Sequence, residues 1–330
     1  RQAPDDPETW SACGDLWLDT NEYRYLPRAI ECFSHAIDLA DSNDDPSARQ
    51  DNFSALAGAY LIQGDYAQAR QAIAQALKIA PSELAEGELG EIQLETGHPA
   101  AALQDFSQAI AEDGSDPWNY KRRAAARLEL ADTTRAADTT DALDDLAHAA
   151  VLDPTVRPNH ALLHLHLGRL VDARLALGDP ATMSASNAPE AWLALGRIDL
   201  AASNSAAARR DFTNAASIKP RIPDEHSTHA IALAYLGQFN AALAEAASAR
   251  AADPDDPQRT YDLAVIFALR SAADADNASA TSDRASAIKL LTAAAHGPLH
   301  DWEYLADDFD LRSLRNDADF KRLVSTLKSN

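Results

Sequence analysis

The chain has 330 residues, 46% of them hydrophobic, enough for a large buried core and too little net polarity for disorder throughout. Acidic residues outnumber basic ones 51 to 29, and the formal charge of −22 repels phosphate backbones, which argues against nucleic acid as a partner. No apolar run approaches the roughly 18 residues of a membrane-spanning helix, so no membrane insertion of this segment is expected and the expected setting is cytoplasmic.

Alanine-rich segments run through most of the sequence and favour helix, because alanine loses no side-chain entropy there. The chain opens at Arg1 without an initiator methionine, which implies a longer precursor. The first predicted helix pair carries Trp10, Cys13, Gly14 and Trp17, then a lengthened turn through Tyr23 and Tyr25, then Ala29, Phe33 and Ala36. Its two cysteines, Cys13 and Cys32, are too few for a disulfide framework and read as a chance pair of buried thiols. The second pair carries Phe53, Leu56, Ala57, Tyr60, Gly64, Ala69, Ile73, Ala76 and Pro81, and the third Leu89, Gly90, Gly97, Ala102, Phe106 and Ala109, closing on Gly114 instead of proline. The fourth runs from Tyr120 and Ala124 through a polar insertion, 132–141, to Ala142, Leu146, Ala149 and Pro154. The fifth has Ala161, Gly168, Ala173 and Leu177, but Gly178, Asp179 and Pro180 should stop its second helix early, which makes 178–188 the expected joint in the array. In the sixth, Trp192, Leu195, Gly196, Ala208, Phe212, Ala215 and Pro220 are followed 34 positions later by His226, His229, Ala230, Ala242, Ala246, Ala249 and Pro254 of the seventh. The eighth holds Thr260, Leu263, Ala264, Phe267, Ala287, Leu291 and Ala294 around an insertion at 271–284. Both insertions are predicted to be solvated loops.

The period and the order of residues resemble the tetratricopeptide repeat (TPR), a helix-turn-helix unit with an aromatic, a Leu-Gly pair, then Ala, a bulky apolar residue, Ala and a closing Pro. Each helix pair is too small to bury its own apolar stripe, so stacked neighbours must cover one another. The resemblance implies an all-α fold, a right-handed superhelical α-solenoid of about eight helix pairs over residues 1–298, whose first helices line a concave surface. Residues 299–330 fall outside the repeat and are expected to cap it, with Phe320, Leu323, Val324 and Leu327 on one helix face. Asp307 to Asp310, Leu311, Leu314, Arg315, Asn316, Asp317, Phe320 and Leu323 look like the closing segment of repeat regions in large bacterial proteins, often behind a serine/threonine kinase domain.

Candidate chemistry is sparse. His160 and His164 stand one helical turn apart but lack a third ligand and a following Glu, and His226 and His229 occupy repeat positions, so neither catalytic nor metal-binding residues are expected, and no cofactor. Asn52-Phe53-Ser54 and Asn277-Ala278-Ser279 match the glycosylation tripeptide by chance. The resemblance places the ligand against the first helices, at Asp15, Asp19, Glu91, Glu95, Lys121, Leu128 and Glu129 in the early pairs and at Leu193, Arg197, Ile231, Tyr235, Tyr261, Val265 and Leu269 in the late ones. That groove is acidic early and apolar late. The expected function is a non-catalytic scaffold for a protein or peptide partner presenting basic residues beside an apolar stripe. Its alternatives are the regulatory tail of a larger enzyme such as a kinase, and a metal-dependent hydrolase built on the histidines.

Overall fold

The computed structural model describes residues 6–18, 23–40, 46–134, 136–184, 188–221, 223–252, 254, 256–274, 277–295, 305–306 and 308–327. Among them the regular structure is α-helix with three short 3-10 turns and no strand. The helices are α1 (Pro7–Leu18), α2 (Leu26–Leu39), α3 (Pro46–Gln63), α4 (Tyr66–Ile79), α5 (Glu83–Glu95), α6 (Pro99–Glu112), α7 (Pro117–Thr134) and α8 (Ala136–Leu152). They continue with α9 (Arg157–His166), α10 (Leu170–Leu177), α11 (Ala188–Ala201), α12 (Ser205–Ser217), α13 (Pro223–Tyr235), α14 (Phe239–Ala252), α15 (Pro257–Ala273), α16 (Asn277–Ala294) and α17 (Ala318–Leu327). The fold is an all-α solenoid. Two compact units divide it, Arg1–Asp145 and Leu146–Asn330, with the boundary inside α8.

The local signals set the helix ends. Asp65 caps α4 by accepting from the Gln68 amide at 3.1 Å, Ser82 caps α5 through the Ala85 amide at 3.2 Å, and Asp256 caps α15 through the Gln258 amide at 2.8 Å. Gly97, at φ 74°, ends α5 and lets the His98 amide reach back to the Gln93 carbonyl at 2.8 Å, a turn that only a left-handed residue can close. In the first unit α1 packs on α2, α3 on α4 and α5 on α6, while α1, α3, α5 and α7 touch in succession. In the second unit α9 packs on α10, α11 on α12, α13 on α14 and α15 on α16, and α9, α11, α13 and α15 touch in succession. Each unit therefore presents a face made of first helices.

Small residues let the helices of a pair approach. A Cβ on Gly14 would stand 2.6 Å from the Phe33 ring, and one on Gly90 would stand 2.9 Å from Phe106; Gly196 meets Phe212 in the same way. Phe33, Phe106 and Phe212 are buried, and around them alanines such as Ala29, Ala69, Ala102 and Ala215 are fully or almost fully enclosed. The repeat residues singled out in the sequence are thus the packing residues of each pair.

Two expectations about loops need correction. Residues 132–141 are helical apart from residue 135, which lies outside the described residues, and 277–284 form the first turns of α16 instead of a solvated loop. In the second case Arg270 on α15 donates to both Asp283 oxygens at 2.7 and 2.6 Å, and Ala280 and Asp283 are buried, so the helices continue because they have a partner to pack on. The fifth repeat does shorten as its sequence implies: α10 is 8 residues long and stops at Gly178, φ 72°, before a 3-10 turn at Pro180–Thr182. Asn52 and Ser54 are buried within α3, so the first glycosylation tripeptide is enclosed.

Candidate functional site

On the first-helix face of the first unit, Leu84, Glu88, Glu91 and Glu95 follow one another at intervals of four, three and four along α5, which puts them on one stripe. Glu91 and Glu95 do not face solvent alone. Arg122 on α7 donates from Nε to Glu91 at 2.5 Å and from Nη2 to Glu95 at 3.2 Å, and the Tyr66 hydroxyl donates to Glu95 at 3.5 Å. Glu91 is only 9% exposed. The like-charge pair expected from the sequence is therefore bridged by a guanidinium that sequence reasoning missed, since Arg122 comes from the next repeat and no local pattern ties it to α5.

Glu88, one turn before Glu91 on the same stripe, is the perturbed group. Burial, reinforced by the charges of Glu91 and Glu83, pushes its carboxyl up to about 8. Its Oε1 lies 3.0 Å from where a Cβ on Gly58 of α3 would stand, so the absence of a side chain there makes its space. Asn119, fully buried on α7, donates to Glu83. Of the other predicted residues in this unit, Lys121 is exposed, Leu128 and Glu129 are half-buried, and Asp15 is exposed on α1; Asp19 lies outside the described residues. Two apolar side chains on first helices are exposed: Leu84 on the α5 stripe at 44%, and Ile62 at 38%, which holds in α3 the repeat position that Glu95 holds in α5.

In the second unit the equivalent face is already covered. Arg197 on α11 donates from Nε to Asp310 Oδ1 at 3.0 Å and from Nη2 to Oδ2, and the Tyr235 hydroxyl on α13 donates to the same carboxylate. Tyr261 on α15 donates to Asp308, and the Ser313 hydroxyl donates to the Ala268 carbonyl at 2.9 Å. Phe309 packs against the buried cluster that holds Leu165 and Leu195, while Leu305, Leu311, Leu314 and Phe320 are enclosed in the core with Ile231, Val265 and Leu269. Burial raises the Tyr235 and Tyr261 hydroxyls well above their ordinary range, with Asp310 and Asp308 adding to the effect, so both stay protonated as donors. Burial also raises Asp308, and it lifts Asp262, beneath them on α15, to about 6 against hydrogen bonds from Ser227 and Gln258. Of the seven late positions, Leu193, Ile231, Val265 and Leu269 are thus buried, and Arg197, Tyr235 and Tyr261 are engaged by residues 308–310 of the same chain. The tail's helix face was legible; its acidic turn over three first helices was not.

The histidines hold structural contacts. His229 Nε2 donates to the Ala216 carbonyl at 3.0 Å, and His226 Nδ1 lies 2.5 Å from Glu245. The rings of His160 and His164 are 4.9 Å apart, and burial lowers the His164 pKa. Among the described residues no group of three or more His, Cys, Asp or Glu side chains is placed to hold a metal ion, and no described helix is long and apolar enough to cross a membrane.

Residues 52–83, from within α3 through α4 to the first residue of α5, match the tetratricopeptide repeat family. The helix pairs of both units repeat that unit's arrangement. No curated protein matches the chain. Among solved structures it is similar to yeast Tom70, with a TM-score of 0.58 and 16% identity over 100% of this chain and 65% of that one. It is similar to the human IFIT1 dimer solved with PPP-AAAA, with a TM-score of 0.55 and 13% identity over 87% of this chain and 65% of that one. It therefore spans about two thirds of each, and 52% of the matched chain in the APC/C hetero-tetramer Cut9-Hcn1. At these identities the likeness is one of fold, that of the TPR solenoid.

Proposed function

We propose that the chain is a non-catalytic protein-interaction scaffold whose recognition surface is the first-helix face of the first unit, and that the partner segment brings basic residues beside apolar ones. The observation that carries this reading is the occupied face of the second unit. There, side chains at the groove positions of three successive first helices hold an irregular segment by charge, hydroxyl donors and apolar burial, so a face of this construction can hold a peptide. The first unit offers an open first-helix face, with Leu84 exposed one turn before Glu88 on α5 and Ile62 exposed on α3.

Glu88 gives the reading a chemical signature. Its carboxyl is held near pH 8 by burial and by Glu91 and Glu83, on a face where Arg122 is already shared by Glu91 and Glu95. A lysine or arginine set against it favours the ionised form, so binding releases a proton and strengthens as pH rises through about 8. A fluorescein-labelled peptide of alternating lysine and leucine, titrated with the whole protein and followed by anisotropy, tests this. Affinity is expected to rise several-fold between pH 6 and 8.5, and to fall about tenfold in an Ile62→Ala, Leu84→Ala double variant, as the loss of one or two buried apolar contacts dictates. Equal binding of a glutamate-leucine peptide, or indifference to both changes, overturns the assignment.

A further inference from the structure

The first helix pair holds a feature that the recognition face does not use. Cys13 on α1 and Cys32 on α2 are free thiols whose sulfurs stand 2.8 Å apart, closer than unbonded sulfur atoms rest in van der Waals contact. The next residue along each helix explains the closeness. Gly14 has no side chain, and the Phe33 ring fills the place a Cβ would take, 2.6 Å from it, so the helices pass closest where the two cysteines lie. A disulfide bond is about 2.05 Å long, so the two sulfurs need close less than about 1 Å to form one.

How each helix is held bears on what such a bond does. α2 buries Leu26, Ala29, Cys32, Phe33 and Ala36, whereas Gly14 is the buried residue of α1. α1 packs on α2 and, to a lesser extent, on α3. Among the described residues α1 is thus docked mainly through its contact with α2, where the thiols sit.

We propose that Cys13 and Cys32 are a redox-responsive pair that closes to an intramolecular disulfide and locks α1 onto α2. The oxidant is a small-molecule disulfide of the glutathione class. Cys13, half-buried, is the thiol that meets it; Cys32 is buried, and burial together with the neighbouring Cys13 sulfur pushes its thiol up to about 12. The Cys13 thiolate attacks one sulfur of the oxidant, breaking its S–S bond and releasing one thiol. Cys32 then gives up its proton to the departing thiolate as its sulfur displaces that thiol from Cys13. Two thiols of the protein and one small disulfide become one protein disulfide and two small thiols, so two electrons and two protons pass to the oxidant.

The whole protein, equilibrated with oxidised and reduced glutathione at a series of ratios, acid-quenched, alkylated and weighed intact, tests the proposal. The expected oxidised product is a monomer about 2 Da lighter than the reduced chain that takes up no alkylating reagent and yields a cross-linked Cys13–Cys32 peptide. Cys32→Ser is expected to stop at one glutathione adduct on Cys13. A closed loop of this length restrains the open state enough to slow amide exchange in α1 by about 100-fold, an effect absent from the Cys13→Ser, Cys32→Ser double variant. A persistent glutathione adduct on the unmodified pair, disulfide-linked dimers, or two freely alkylated thiols at the most oxidising ratio each overturn the pair. A bridge that leaves α1 exchanging as before overturns the lock.

Discussion

Arg122 determines how the acidic side of the first unit behaves. Read as a sequence, Glu91 and Glu95 are exposed like charges on one helix face; in the fold they share one guanidinium, and Glu91 is almost buried. Reversing them would leave Arg122 facing lysines, so such a variant tests folding more than partner choice. Glu88 is the cleaner probe. Its folded carboxyl titrates at about 8 against an ordinary 4.5, so the folded state holds this proton more tightly than the unfolded chain. That contribution to stability is complete below about 4.5 and is lost as pH climbs through about 8. Glu88→Gln keeps the shape of the protonated acid and removes the titration. Melting curves are expected to show the variant about equal to the parent at pH 5 and higher by about 3 °C at pH 8.5. An offset of the same size at both pH values would sink this account of Glu88. Neither this shift nor Arg122 could be read from the sequence, because both depend on contacts between repeats.

At the scale of elements, the chain-end segment is as much part of the second unit as its helices. The amphipathic spacing that predicts α17 is present, and Phe320 is enclosed as that spacing implies. The turn before it has no periodicity, and its role emerges only where Asp310 meets Arg197 and Tyr235. Burial works against the charge of Arg197, but Asp310 outweighs it and holds the guanidinium above its ordinary value. Side chains that are 14% and 4% exposed sit between a surface pair and a fully desolvated one. Removing one partner leaves the other charge uncompensated, so Asp310→Ala is expected to destabilise the protein by about 2–4 kcal/mol in urea titrations. Arg197→Met combined with Asp310→Leu is expected to recover most of that loss, because an apolar pair carries no stranded charge. If the double variant is as unstable as the sum of the singles, the ion pair is not what holds the turn. Tyr235→Ala belongs to the same argument, since its ring also stacks on Phe212 at 4.2 Å and its loss opens the core.

At the scale of the whole molecule, the parts that were legible are those in which one residue type can satisfy the geometry. Gly14, Gly90 and Gly196 must be small because a phenylalanine lies on each, and a glycine at that place in the repeat is visible in the amino-acid order itself. The insertions were illegible for the opposite reason: alanine and aspartate at 271–284 fit a loop or a helix equally, and Arg270 meeting Asp283 decides between them. This difference places the chain's weak points. The segment after α10 carries a left-handed glycine, a three-residue 3-10 turn and the exposed Ala181 and Thr182, whereas 277–284 lies in a helix whose Ala280 and Asp283 are enclosed. Proteases need several residues of extended backbone, which a packed helix yields only on opening. Brief digestion with a low-specificity protease is therefore expected to nick the chain first between 178 and 188 and to spare 277–284 until the second unit unfolds. Early fragments ending within 277–284, at a rate matching those from 178–188, would show that the α15–α16 pairing is too weak to hold that stretch in its helix.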